Sequence, residues 1–320
     1  MPPFLAPPIW PDPQPRSGRF AATVVRNTPE LVEDAEAQAI AAKCSVAMVG
    51  IPDDMGVMLN HGREGARAGP AAFRAALARY GVASPADESA DALAFPRVFD
   101  AGDVIPSDDL RETHDRITEV VLSLLERGFF PIAIGGGHDL TFPFVRGVAK
   151  VYGVLRGLYL DAHLDVRPEV GSGMPFRALM EGGYATDLRV VGMNPLVNSR
   201  EHFEYFQSCR GQSLAFPMLL EQALPIGQSA FVSLDMDVFD AAHAPGVSAL
   251  NPSGLTAREL EPIIRAAGRS PTVRCFDIME LNPACDVDGR TARLAAHMFL
   301  TFLRGFAERP IEPASCGTRR

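Results

Sequence analysis

Positive charge is scarce in this sequence. Its 320 residues carry 30 Lys and Arg against 39 Asp and Glu, a formal net charge of −9 with a pI near 5.3. Binding to a phosphate backbone or to anionic headgroups needs a basic surface, so this balance argues against a nucleic acid or a membrane as partner and for a small molecule. Long hydrophobic runs are lacking too, since no stretch reaches the roughly 18 apolar residues of a membrane span. The opening MPPFLAPPIWPDPQPRSG has no basic region and is broken by prolines, unlike a secretory signal. Five cysteines (Cys44, Cys209, Cys275, Cys285, Cys316) are odd in number and widely spaced, with no CxxC. That pattern excludes a disulfide framework and a thiolate zinc site, and the expectation is reduced thiols in a cytoplasmic protein.

Internal repeats and interdomain linkers are also missing. Residues 1–28 are therefore read as a proline-rich N-terminal arm, with Trp10, the only tryptophan, anchoring it to its own chain or to a neighbouring subunit. Residues 29–320 are read as one domain. Within them, short apolar runs followed by Gly, Asp or Asn alternate with segments of helical periodicity, the βα pattern of a parallel sheet covered on both faces. The expected class is α/β, a single three-layer α/β/α domain with a mostly parallel sheet. Strands are expected at 45–51, 97–99, 130–134, 158–160, 188–192, 230–234 and 273–278. Helices are expected at 29–42, 69–80 (with Pro70 in its first turn), 110–127, 256–267 and 290–306.

Four segments place polar residues at the ends of expected strands: GGGHDLTFP (135–143), DAHLDVRP (161–168), SLDMDVFD (233–240) and DIMELNP (277–283). In open α/β sheets ligands bind outside the carboxyl ends of strands, so four such ends can converge on one crevice. Spacing by two puts Asp161, His163 and Asp165 on one side of an extended chain, and likewise Asp235 and Asp237. At about 3.3 Å per residue, however, Asp161 and Asp165 would lie about 13 Å apart, too far for ions about 4 Å apart. The chain is therefore expected to stop being a strand near Asp161 and to curl. A single Asp after a strand also serves as a turn or cap. Several acids and two imidazoles recurring at strand ends are harder to explain that way, because buried like charges cost many kcal/mol unless cations neutralise them. His138, Asp161, His163, Asp165, Asp235 and Asp237 thus form an oxygen-rich candidate metal set with two imidazoles. It suits Mn²⁺, with nickel, iron and zinc left open.

On the GGGHD, DAHLD and SLDMDVFD blocks, the chain resembles ureohydrolases of the arginase and agmatinase superfamily from about Val49 to Phe306. The resemblance implies an arginase-like fold for residues 29–320, two Mn²⁺ ions per chain, a homo-oligomer, and a bridging hydroxide that attacks a guanidine or amidine carbon. It implies the same six residues as metal ligands, Asp165 as a bridging carboxylate that also handles the proton, and Glu280 as the partner of the cationic substrate group. Four further stretches, NHGREGARAGP (60–70), SGMPF (172–176), APGVSA (244–249) and ELNPACDVDGRTARLAA (280–296), resemble the formimidoylglutamase branch.

That branch implies hydrolysis of N-formimidoyl-L-glutamate to L-glutamate and formamide. A dianionic substrate tail calls for cations away from the metals: Arg167 first, then Arg63 and Arg177, with Ser172, Asn60 and Asn194 as polar contacts. Asp139 and Asp240 are expected to orient ligands from behind. His243 is a candidate for the border of the site, whereas His61, His114, His202 and His297 are assigned to surface, capping or core positions. Two departures stand out. Met174 replaces the usual Thr of SGTPF, and no histidine stands near Phe176, where arginases carry a proton shuttle. Two alternatives stay open, a ureohydrolase acting on guanidinobutyrate, agmatine or arginine, and a non-catalytic, metal-binding regulatory relative.

Overall fold

The structure is a computed structural model that describes residues 4–12, 15–29, 41–81, 95–215 and 227–310. Among them, one sheet holds β1 (Leu5–Ala6), β2 (Val25–Arg26), β3 (Val46–Ile51), β4 (Val98–Val104), β5 (Phe130–Gly135), β6 (Leu155–Leu160), β7 (Ala185–Val191), β8 (Gln212–Leu214), β9 (Ala230–Asp235) and β10 (Val273–Met279). Their order is β1-β4-β3-β5-β10-β9-β6-β7-β8, with β2 also paired to β4. Only β1 pairs antiparallel.

Alternation along each strand builds the three layers. Val46 and Met48 of β3 face one core with Phe73, Ile263, Phe299 and Phe302, whereas Ala47 and Val49 face the other with Ile117, Val120, Phe144 and Val148. The helices supplying these side chains are Gly69–Leu77 and Ala257–Arg269, with Arg290–Ala307, on one side, and Leu110–Glu126 and Thr141–Tyr152 on the other. Each fully buried Phe or Ile contributes about 1.5–3 kcal/mol, so both faces are firmly closed. No described helix is long and apolar enough to cross a membrane.

Differences from the sequence expectations are local. β4 runs on to Val104 through Asp100 and Asp103, because Arg74 donates to both and lets a charged stretch stay in the sheet. β1, β2 and β8 are too short to show a periodicity. Helices at 141–152, 175–181 and 200–208 were not expected, nor was the short one at Met55–Leu59. The expected helix 29–42 lies almost wholly outside the described residues. Trp10 anchors to its own chain, its Nε1 donating to Asp100 Oδ2 at 2.8 Å. Cys44, Cys209, Cys275 and Cys285 form no disulfide among the described residues, and Cys316 lies outside them.

Topology positions the site. β5, β10, β9 and β6 are neighbours at the middle of the sheet, and their carboxyl ends carry His138, Glu280, Asp235 and Asp161 respectively.

Candidate metal centre

After β5 the chain passes Gly136, where a Cβ would strike the Asp53 carbonyl, and turns into a 3-10 turn that begins at His138. The Glu280 N–H donates to the Gly136 carbonyl (2.8 Å) and the His138 N–H to Glu280 Oε1 (2.8 Å), which ties the β5 and β10 ends together. After β6 the chain curls as the distance argument requires. The His163 N–H donates back to Asp161 Oδ1 (2.6 Å), and Asp165 sits in the left-handed region with φ 48°. After β9 the Asp237 N–H donates to Asp235 Oδ1 (2.7 Å), turning both carboxylates inward.

Two groups of ligand atoms result: His138, Asp161, Asp165 and Asp235, and Asp161, His163 and Asp237. The residue common to both is Asp161. Asp165, expected to bridge, falls in the first group alone because its left-handed backbone sets it on the cavity side.

His138 Nδ1 lies 3.2, 2.9 and 3.0 Å from carboxylate oxygens of Asp161, Asp165 and Asp235, yet it and Asp161 Oδ2 are buried without a hydrogen bond. One ring nitrogen cannot satisfy three carboxylates, but a cation can sit among all four atoms. The other face of the ring fixes its tautomer. Ser233 Oγ donates to Asp277 Oδ1 (2.5 Å) and so accepts from His138 Nε2 (3.0 Å), which leaves the Nδ1 lone pair for a metal. His163 Nδ1 lies 2.9 Å from Asp237.

The electrostatics point the same way. Burial, then the neighbouring Asp165 and Asp237, pushes Asp161 up to about 6, and burial with Asp237 holds Asp235 well above the carboxylate range. Burial acts to lower His163, but Asp237 and Asp161 outweigh it and hold the imidazole up to about 12. Burial acts to raise Asp237, yet His163 holds it below its ordinary value. Burial pushes Asp277 up to about 7 and Glu280 up to about 8, the latter despite hydrogen bonds from Ser248 and the His138 N–H. Burial is the first cause at each raised acid, neighbouring carboxylates add to it at Asp161 and Asp235, and divalent cations would relieve that crowding.

All this opens into one cavity of about 240 Å³. It brings together Asp165, Asp235, Asp237, His163 and Glu280 with Arg167, Ser172 and Asn60. Asn60 donates to Ser172 Oγ at 3.2 Å.

Arg63 and Arg177 are not in the lining. Arg63 donates to the carbonyls of Pro245, Val247 and Ser248, bracing that loop, while Arg177 pairs with Glu181 (2.8 Å) and stacks on Tyr205. Asp139 does not orient a ligand side chain, because its Oδ2 faces His114 Nε2 at 3.0 Å in the core. Asp240 caps its own turn through the Ala242 N–H. His243 and Asn194 stand outside the lining, as does Met174, which is buried.

Further residues support or line the site, among them His61 and His202, which the sequence assigns to surface, capping or core positions. Ser233 and Asp277, which orient His138, lay inside quoted blocks. Asn198 clamps the ligand loop, its amide accepting from the Leu164 N–H (2.9 Å) and donating to the carbonyls of Ala162 (2.9 Å) and Asn194 (2.8 Å). His61 and His202 line the cavity. An Asn or His in a loop carries no periodic signal, and only the folded topology brings these loops to the metal residues.

Comparison with known proteins places the geometry in context. A sequence model described as Arginase family matches residues 44–304. A formimidoylglutamase of Ralstonia nicotianae is 34% identical over 288 residues, covering 82% of this chain and 86% of the relative. A formiminoglutamase of Trypanosoma cruzi, solved with Mn²⁺, superposes with TM-score 0.77 at 34% identity, covering 83% of this chain and 95% of that one. The proclavaminate amidino hydrolase of Streptomyces clavuligerus superposes with TM-score 0.72 at 28% identity, covering 83% and 92%.

Proposed function

The chain belongs to the arginase family, and on that premise we propose that it hydrolyses the C–N bond of N-formimidoyl-L-glutamate, giving L-glutamate and formamide, with two Mn²⁺ ions per chain. One observation carries the reading. A single cavity is lined by His163, Asp165, Asp235 and Asp237 of the ligand set, a buried carboxylate beside them in Glu280, and an exposed guanidinium in Arg167. A cationic head and an anionic tail meet their complements there.

Bound there, two ions would lower the pKa of a coordinated water and supply hydroxide near neutral pH. His138, Asp161, Asp165 and Asp235 would hold one ion, and Asp161, His163 and Asp237 the other. Glu280, oriented by the His138 N–H at one oxygen and by Ser248 at the other, receives the formimidoyl cation in a charge-assisted hydrogen bond. Burial raises its pKa, and a cation beside it would offset that burial. Asp165 is the ligand of the first group most open to the cavity, with a side chain 12% exposed against 0% for Asp161 and 3% for Asp235. It takes up the water's proton and passes it to the leaving glutamate amine. Arg167 offers its fork to a substrate carboxylate.

Residues 29–320 act as the catalytic unit with 1–28 as an arm that braces the sheet, in a cytoplasmic homo-oligomer. The widely spaced cysteines, without a disulfide among the described residues, support the compartment.

The likeness to proclavaminate amidino hydrolase favours a second reading, a guanidino acid as substrate, because Glu280 would accept a guanidinium as readily as an amidinium. Manganese-loaded protein offered N-formimidoyl-L-glutamate, guanidinobutyrate, agmatine and arginine, with formamide and urea measured separately, decides between them. Formamide from the first substrate is the expected result. Urea without formamide overturns the first reading, and no turnover of any of the four overturns both.

A further inference from the structure

Charge in the cavity is sorted by depth. Asp235, Asp237 and Glu280 are 2, 3 and 4% exposed, whereas Arg167 and His61 are exposed and His202 is half-buried. The acids form the floor and these three side chains the mouth. Most polar groups between them are already engaged. The Asn198 amide is spent on the ligand loop, Ser248 donates to Glu280, and Asn60 donates to Ser172.

The three side chains at the mouth are different. Among the described residues, the Arg167 guanidinium and the His61 and His202 rings have no hydrogen bond or ion pair, although all three line one cavity. They come from three separate loops or helices: His61 after the helix Met55–Leu59, Arg167 after β6, and His202 in the first turn of the helix Arg200–Ser208. His61 is held with φ 58°, a left-handed backbone uncommon for histidine.

A dianionic tail has two carboxylates, and one planar guanidinium engages one of them in a bidentate pair. The second needs its own donors, and the rings of His61 and His202 are the unengaged ones. We propose that His61 and His202 are specificity-determining residues that receive the second carboxylate of the substrate, completing with Arg167 a collar selective for dicarboxylic tails. The inference rests on the proposed reaction and deepens it.

The test uses full-length, manganese-loaded protein and three substrates: N-formimidoyl-L-glutamate, N-formimidoyl-norvaline, which lacks the side-chain carboxylate, and 4-(formimidoylamino)butyrate, which lacks the α-carboxylate. A hydrogen bond to a charged group is worth about tenfold to a hundredfold in affinity, so the unmodified protein should prefer the full substrate over each analogue by about that factor in kcat/KM. In His202→Ala, and in His61→Gly, which keeps the left-handed backbone unstrained, preference over one analogue should shrink to within about threefold. Preference over the other should stay, with the loss appearing in KM rather than kcat. Arg167→Ala should erase the opposite preference.

Each variant carries its own control, because a general loss of folded enzyme lowers all three rates together and leaves the ratios intact. The inference is overturned if the unmodified protein cleaves N-formimidoyl-L-glutamate while both histidine variants keep both preferences. Loss of the same preference that Arg167→Ala loses overturns it as well. No turnover of N-formimidoyl-L-glutamate by the unmodified protein overturns the proposed reaction and this inference together.

Discussion

Asp100 and Asp161 are both fully buried, yet the chain closes the charge around only one of them, since two imidazoles stand among four carboxylates at the Asp161 cluster. Arg74, itself 1% exposed, donates to both Asp100 oxygens at 2.8 and 2.9 Å and to Asp103 at 2.7 Å, and Trp10 adds a fourth donor. Burial acts to lower Arg74, but Asp100 and Asp103 hold it above its ordinary value. At the other cluster three carboxylates face a single imidazole nitrogen, and the buried Asp161 Oδ2 goes without a donor. A cluster closed by its own residues is architecture, while one left short of positive charge is built to take it from outside.

Variants can break the comparison in order of effect. Replacing Asp235 by Asn should lower kcat/KM by about a thousandfold or more, several kcal/mol of lost charge stabilisation. Without manganese the same variant should melt no lower than the parent, since it relieves like-charge crowding; a clear fall in metal-free Tm would refute that account. Arg74→Ala should do the reverse, destabilising the fold by about 3–5 kcal/mol in denaturant titrations by stranding the buried Asp100 and the partly buried Asp103. An undiminished midpoint would show that the Arg74 network is not what closes that cluster.

Adding manganese to chelator-treated protein at about a hundred times its Kd should stabilise it by roughly 2.7 kcal/mol, seen as a rise in Tm. No rise, or an equal rise in Asp235→Asn, would detach the ions from this cluster. Ser233→Ala removes the acceptor that fixes the His138 tautomer and should weaken manganese binding about tenfold to a hundredfold by calorimetry. Trp10→Phe should cost about 1–3 kcal/mol of stability and nothing in activity.

The two clusters were not equally legible in the sequence. Asp161, His163, Asp165, Asp235 and Asp237 announce themselves by spacing of two directly after apolar runs, because a strand end presents such residues together. His138 and Glu280 share the same signature at neighbouring strand ends. The Arg74 network has no such mark. Its members stand at 10, 74, 100 and 103, and Asp100 within VFDAGDV reads as the end of a strand rather than its interior. The cavity mouth was half legible. Arg167 follows the ligand loop and ranks first for that reason, with Arg63 and Arg177 behind it on charge alone, and only the fold shows that one braces a loop and the other pairs on a helix. The seven core strands were readable because strands buried on both faces are continuous apolar runs, whereas a two-residue strand is defined by its partner.

Those two-residue strands have a consequence for how the protein behaves outside its active site. β1 and β2 lie along the outer side of β4, and Gly102 permits the approach, since a Cβ there would run into the Ala6 carbonyl. Stripped of them, β4 would present seven residues of apolar-rich backbone as an open template for another chain, the usual route to edge-to-edge aggregation. Leu5–Ala6 and Val25–Arg26 together form a selvedge, a finished border along β4. A version shortened to start at residue 29 should keep its metal residues and lose its solubility.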